Sequence, residues 1–222
     1  MSAIFPKWTN RLPLMIIIGL SLLACGVTAG VWYYFTPKYT RVGYQPIQPV
    51  AFSHAIHVDQ VGLDCRYCHN AVEKSWYSNV PASATCMNCH SQVLKDDPRL
   101  ALVRESAQTG QPIPWVQVHK LPDFAYFNHS VHVNRGVSCV ECHGQINRMD
   151  EVYHAKPFSM AFCLNCHRNP AAAVRPLDKI TDLNWKWSDD PNTAAQQQKL
   201  NGEKFVHDWK VQSLESCSAC HR

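Results

Sequence analysis

From Leu12 to Phe35 the chain reads LPLMIIIGLSLLACGVTAGVWYYF, apolar on every side and without a charge. As a helix this stretch would rise about 36 Å, enough to cross a bilayer with some tilt. Trp8 before it and Trp32, Tyr33 and Tyr34 at its end are placed as interfacial anchors. Beyond it the apolar positions come in short groups, interrupted by many of the chain's 14 prolines. That pattern predicts short helices and loops rather than a large bundle or sheet. One stretch is more definite. Asp97-Pro98, then RLALVRESAQTG closing on Gly110, supplies an N-cap, a proline in the first turn and a C-terminal glycine. Gly110 to Asp123, with three prolines, is expected to be an ordered connector.

The cysteines change the picture. Ten of the 11 fall in five copies of one motif: CRYCH (Cys65, Cys68, His69), CMNCH (Cys86, Cys89, His90), CVECH (Cys139, Cys142, His143), CLNCH (Cys163, Cys166, His167) and CSACH (Cys217, Cys220, His221). CxxC alone fits half a zinc site, a redox pair or a disulfide. With only 12 histidines in 222 residues, a histidine behind all five pairs is the signature of c-type haem attachment. The thiols add to the porphyrin's vinyl groups as thioethers, and the adjacent imidazole is held where it can bind iron from one face. Five covalently attached haems c are expected, with these five histidines as proximal ligands.

An internal repeat points to second ligands. FSHAIHVDQVGLDCRYCH, from Phe52, aligns with FNHSVHVNRGVSCVECH, from Phe127, with one residue deleted. Each copy has two histidines three apart, His54 and His57 in the first, His129 and His132 in the second. On a short helix they would share nearly one face, fanned enough to reach two irons. Four irons thereby gain a second ligand. For the fifth, Met160 and His119 are the main candidates. Met160 lies in FSMAFCLNCH without a counterpart in the first repeat, and a thioether would raise that haem's potential. His119 leads directly into the second histidine pair. His154 and His207 are read as surface residues or propionate contacts.

The expected architecture is a multihaem cytochrome c: one N-terminal transmembrane helix and a mostly irregular, short-helix domain wrapped around five haems. Its parts are a cytoplasmic segment 1–11, an anchor 12–35 and an outer pentahaem domain 36–222. Within the last, two-haem repeats cover about 50–92 and 125–170, followed by a single-haem tail 171–222. Residues 171 to 210, with Trp185, Trp187, Trp209 and a Gln-rich run, carry no ligand and are read as a docking surface or a lid over the fifth haem.

Composition supports a globular body, with 46% hydrophobic and 17% charged residues. The formal charge of +4 would suit nucleic acid or an acidic surface. Five haems with ionised propionates would carry it to about −1 when ferric and about −6 when ferrous, so the basic residues are better read as propionate partners and no nucleic acid is expected.

Lys7 and Arg11 precede the span and Lys38 and Arg41 follow it, so charge leaves its orientation open. Haem c is attached outside the cytoplasmic membrane, which puts the N-terminus in the cytoplasm and the haem domain in the periplasm. A cleaved signal would have a shorter apolar core. A lipid on Cys25 would need polar residues after it, and they stay apolar. Gly26 and Gly30 form a small-residue pair that would let another membrane helix come close.

Iron with two protein ligands leaves no place for a substrate, and no motif histidine is exchanged for lysine as in multihaem nitrite reductases. An electron carrier, not an enzyme, is expected. The anchor, FSHAIH, the five motifs, RESAQTGQPIPWVQVHKLPDFAYFNHSVH, PFSMAFCLNCHRNP and the terminal CSACHR together resemble the pentahaem cytochrome c subunit of bacterial alternative complex III. The resemblance implies an electron-transfer subunit of a quinol-oxidising membrane complex. It also implies partners: an iron–sulfur subunit of molybdopterin-enzyme type, multi-span subunits holding the quinol site, and a monohaem cytochrome c or terminal oxidase as acceptor. The alternative is a stand-alone, membrane-anchored multihaem quinol dehydrogenase feeding a periplasmic reductase.

Overall fold

The computed structural model describes residues 6–35 and 41–221, so Lys38 and the first five residues of the expected cytoplasmic segment lie outside the described residues. The chain divides after Val42 into two units. In the first, a Pro6-led 3-10 turn over Lys7–Arg11 runs into helix α1, Leu12–Phe35. The helix has the bounds of the apolar run, and none of its residues is buried within the chain. A helix apolar on all faces and covered on none is one that could span a membrane. A Cβ added at Gly26 or Gly30 would meet nothing, so packing inside the chain does not require these glycines.

The second unit is built from short helices, and among its described residues there are no strands, only the isolated antiparallel bridges Ala125–His221 and Val137–Val174. The five motifs lie on α2 (Cys65–Cys68), the end of α3 (Ser83–His90), α6 (Cys139–His143), the later part of α7 (Met160–Arg168) and α9 (Cys217–Cys220). One helical turn puts the two cysteines, three apart, on one face, with the histidine next to the second. Each turn is started by extended backbone. Asp64 accepts a hydrogen bond from Arg66 N at 2.8 Å, and Ser159 Oγ from Phe162 N at 3.3 Å, as N-caps.

The helix expected after Asp97 is present. Asp97 caps a 3-10 turn at Pro98–Leu100, α4 spans Ala101–Thr109, and Gly110 closes it with φ 74°. The sequence reading did not foresee an 18-residue helix, α8 (Pro191–Asp208), in the tail. Asp190 caps it through Thr193 N at 2.8 Å, and Pro191 opens it. It packs on the 3-10 turn Pro170–Ala172, where Gln198 Nε2 donates to the carbonyls of Ala171 (2.6 Å) and Val174 (2.9 Å). Phe205 and Trp209 stack with centroids 4.4 Å apart, and Trp209 lies against Gly136.

The apolar core is thin. One cluster joins Val72 of the first repeat, Val133 of the second and Ile180 of the tail, with Cys139 against it. Ser138 at its edge donates to Ile180 O at 2.6 Å.

The seat of α8 is sensitive to one methyl group. A Cβ at Gly202 would collide with Ala171 O, a backbone atom that cannot swing aside. Gly202→Ala should therefore destabilise the second unit by about 1–3 kcal/mol in a denaturant titration. Gly26→Ala, in open surroundings, should leave that midpoint unchanged.

Candidate functional site

The two histidine pairs repeat in geometry as well as in sequence. Phe52 meets His54 edge-on at 4.9 Å and stacks on His57 at 4.3 Å; Phe127 meets His129 edge-on at 4.9 Å and stacks on His132 at 4.4 Å. The local backbone differs. His129 and His132 lie on a short α-helix, α5 (His129–Val133), whereas His57 lies in a π-helical turn, Ala55–Gln60. The first copy has one more residue between its second histidine and its first cysteine. A π turn is the usual way for a helix to absorb one inserted residue, and here it keeps both histidines against their phenylalanine.

Backbone carbonyls fix the imidazoles. Nδ1 of His57 lies 2.8 Å from Ser53 O, and Nδ1 of His132 lies 2.7 Å from Asn128 O, each one helical turn back. The same nitrogen bonds Asn79 O in His69 (2.7 Å), Val93 O in His90 (3.0 Å), Trp76 O in His129 (2.8 Å) and Phe124 O in His221 (3.0 Å). A carbonyl can only accept, so Nδ1 carries the hydrogen and Nε2 is left with its lone pair outward. That is the tautomer in which a histidine binds a metal through Nε2, with its orientation set by the second nitrogen.

Ring separations test whether iron fits between these nitrogens. Two imidazoles on opposite faces of one iron have centroids about 6 Å apart, from metal–nitrogen bonds of about 2 Å and about 1 Å from each nitrogen to its ring centre. His57 and His90 are 6.1 Å apart, and His132 and His167 are also 6.1 Å apart. These two pairs occupy equivalent places in the repeat. His129 and His143 are 6.4 Å apart with planes 11° from parallel. The residues thus fit the group that the motifs imply. Among the described residues no three His, Cys, Asp or Glu side chains converge as a site for a bare ion.

His143 lies in a buried group with His119, at 4.4 Å, and Phe158, at 6.3 Å. The 4.4 Å contact is too short for iron between the two rings as they stand. His54 lies within electrostatic reach of His69, His57 and His119. Burial lowers the pKa of His54 and His119 to about 4 and holds His143 well below the ordinary histidine range. All three are neutral at neutral pH, the form that ligates a metal. His54 Nδ1, His119 Nε2 and His143 Nδ1 are buried without a hydrogen-bond partner. His154, expected at the surface or on a propionate, is instead 1% exposed and stacks on His119 at 5.2 Å. His207 is exposed, beside Asp208 at 3.1 Å.

The tail motif docks near the start of the second repeat, since Tyr126 N donates to Cys220 O at 2.8 Å. His119 has its ring contacts with His143, His154 and Phe158, whereas Met160 begins α7, which carries Cys163, and the Cys220 thiol acts on Cys163. Met160 is 64% exposed. The other thiols adjoin in the same way. Cys65 and Cys139 adjoin, Cys68 feels Cys86, and Cys142 feels both Cys163 and Cys166. In space the motifs therefore follow one another as second, first, third, fourth, fifth.

The carbonyls that orient the rings were beyond sequence reasoning, because any residue can supply one. Trp76 O is the clearest case. The backbone amides of His129 and Ser130 also bond the first repeat, at Trp76 O (3.3 Å) and Ser75 O (3.1 Å), so the second histidine pair is mounted on the first repeat.

The family model for cytochrome c7 and related cytochromes c matches residues 50–110 and 125–222. Among curated proteins, the multihaem cytochrome c subunit of a menaquinone reductase from Nitratidesulfovibrio vulgaris is 37% identical over 100 residues, 45% of this chain and 47% of the relative. The match thus spans about half the length of each.

Removing a distal imidazole should open one coordination position. His57→Ala and His132→Ala are each expected to convert one low-spin ferric haem to high spin in the EPR spectrum of the loaded protein. An unchanged spectrum would contradict the pairing of those rings with His90 and His167.

Proposed function

The chain belongs to the family of cytochrome c7 and related cytochromes c, and on that premise we propose that it holds five haems c in series as the electron conduit of a quinone-linked membrane complex. Bound haem c supplies a one-electron couple at each motif. The chain does the rest. Ten cysteines would fix the groups, histidines would hold the irons, and backbone carbonyls hold six of those imidazoles, His57, His69, His90, His129, His132 and His221, in the ligating tautomer. The ligand pairs supported by distance are His57 with His90, His132 with His167, and His129 with His143. His54 then falls to His69, the remaining first-repeat ligand within its electrostatic reach. His221 remains, and the adjacency of Cys163 and Cys220 favours Met160 over His119 as its partner.

The observation that carries this reading is the 6.1 Å separation in both repeat-equivalent pairs. With two protein ligands for each iron, these residues would leave no place for a substrate, so quinone chemistry would fall to partner subunits. The order of the motifs supports a linear path whose ends are the second and fifth. Helix α1 anchors the conduit, with its N-terminus in the cytoplasm and the haem unit in the periplasm.

The motif resemblance supports the quinol-oxidising direction of alternative complex III, in which multi-span and iron–sulfur subunits deliver electrons and a monohaem cytochrome c or oxidase takes them. The relative from a menaquinone reductase supports a second reading with the same conduit run the other way, toward the quinone. A wire conducts in both directions, and the potentials at its ends choose.

Stopped-flow mixing separates these readings. The native complex, purified oxidised, should be reduced by menaquinol at a catalytic rate, whereas the detergent-solubilised chain alone should not. If instead the reduced complex is oxidised by menaquinone and menaquinol does not reduce it, the reductase direction holds. Fast reduction of the chain alone would give it a quinol site of its own and overturn the conduit reading in favour of a stand-alone dehydrogenase.

A further inference from the structure

A shielded ion pair lies where the third and fourth motifs meet. Glu141 is one of the two residues between Cys139 and Cys142, and its carboxylate accepts from Arg175 Nη2 at 3.1 Å. The Arg175 side chain is 11% exposed and that of Glu141 35%. Arg175 is fixed on several sides. Its backbone N donates to Gly136 O at 2.9 Å, its Nη1 to Asp182 O at 3.4 Å, and its guanidinium lies 5.6 Å from the Trp185 ring centre. The Glu141 carboxylate acts on the thiols of both Cys142 and Cys166, one from each motif.

Enclosed ion pairs seldom add net stability, because desolvation offsets their attraction. A charge held away from water does, however, act strongly on neighbouring charges. A ferric haem carries one more positive charge than a ferrous one, so an uncompensated carboxylate beside it favours the ferric form and an uncompensated guanidinium the ferrous form. We propose that Arg175 neutralises Glu141 and that this pair sets the reduction potentials at the Cys139–Cys142 and Cys163–Cys166 sites. The proposal rests on the multihaem reading above. It makes Arg175 and Glu141 tuning residues that touch no iron, and it places control of the driving force in the middle of the conduit.

The test is a spectroelectrochemical titration, followed by EPR, of the haem-loaded full chain in detergent. Arg175→Gln should lower the reduction equilibrium constant of one or both of these haems about tenfold, a shift of about 59 mV for a one-electron couple. That is the scale of one unit charge about 10 Å away at an effective dielectric constant of about 20. Glu141→Gln should raise the same potentials by a similar amount. The double variant and Arg175→Lys should stay near wild type. Single variants that keep their haems but shift in the same direction, or not at all, would overturn the proposal, since a purely structural role predicts no opposition of sign. A wild-type protein without c-type haem would overturn the underlying reading and the proposal together.

Discussion

An imidazole has two nitrogens, and it is best prepared to bind iron with one when the other is held. In His57, His69, His90, His129, His132 and His221 a backbone carbonyl bonds Nδ1 at 2.7 to 3.0 Å, which fixes both the tautomer and the direction in which Nε2 points. Ser53 and Asn128 act from one helical turn away, and a short helix is sufficient for that. Asn79, Trp76 and Phe124 act from loops, and those loops must hold their shape for the ligand to aim correctly. The irregular segments of this protein are therefore as constrained as its helices. With a core as small as the Val72, Val133 and Ile180 cluster, that constraint has to come largely from covalent and coordinate bonds to the haems.

The duplicated unit shows which features the chemistry demands. The stacked phenylalanine, the two histidines and the 6.1 Å separation from the later motif histidine recur nearly unchanged, while the helix type does not. An added residue is taken up as a π turn, and the ligand geometry stays as it is in the shorter copy. The two repeats are not independent, since His129 is oriented by Trp76 O and Cys65 adjoins Cys139. Such joints bring the first and third motifs together, so that the spatial order of the motifs departs from their order in the chain.

Much of this was legible in the sequence because covalent haem attachment uses fixed spacing. The five motifs, the repeated histidine pairs and the apolar run 12–35 are patterns that haem chemistry or a bilayer would impose directly on residue type. What remained hidden depends on backbone or on tertiary packing. Helix α8 has a polar sequence without an apolar stripe, and it is held by Gln198 bonding two carbonyls and by Gly202 lying against Ala171. His154 is enclosed by His119 and the Tyr44 backbone, distant in the chain, as well as by Phe158 four residues on, and residue order alone does not show that these meet. The ring-orienting carbonyls leave no trace in residue identity at all.

The account depends above all on every motif carrying its haem. The most direct check is to count haems per chain on protein purified from its native membrane, by pyridine haemochrome absorbance together with intact mass and alkylation of free thiols. The account predicts five haems per chain and one alkylatable cysteine, Cys25, the only one outside the motifs. Fewer haems, or a free thiol at any of the ten motif positions, would contradict it.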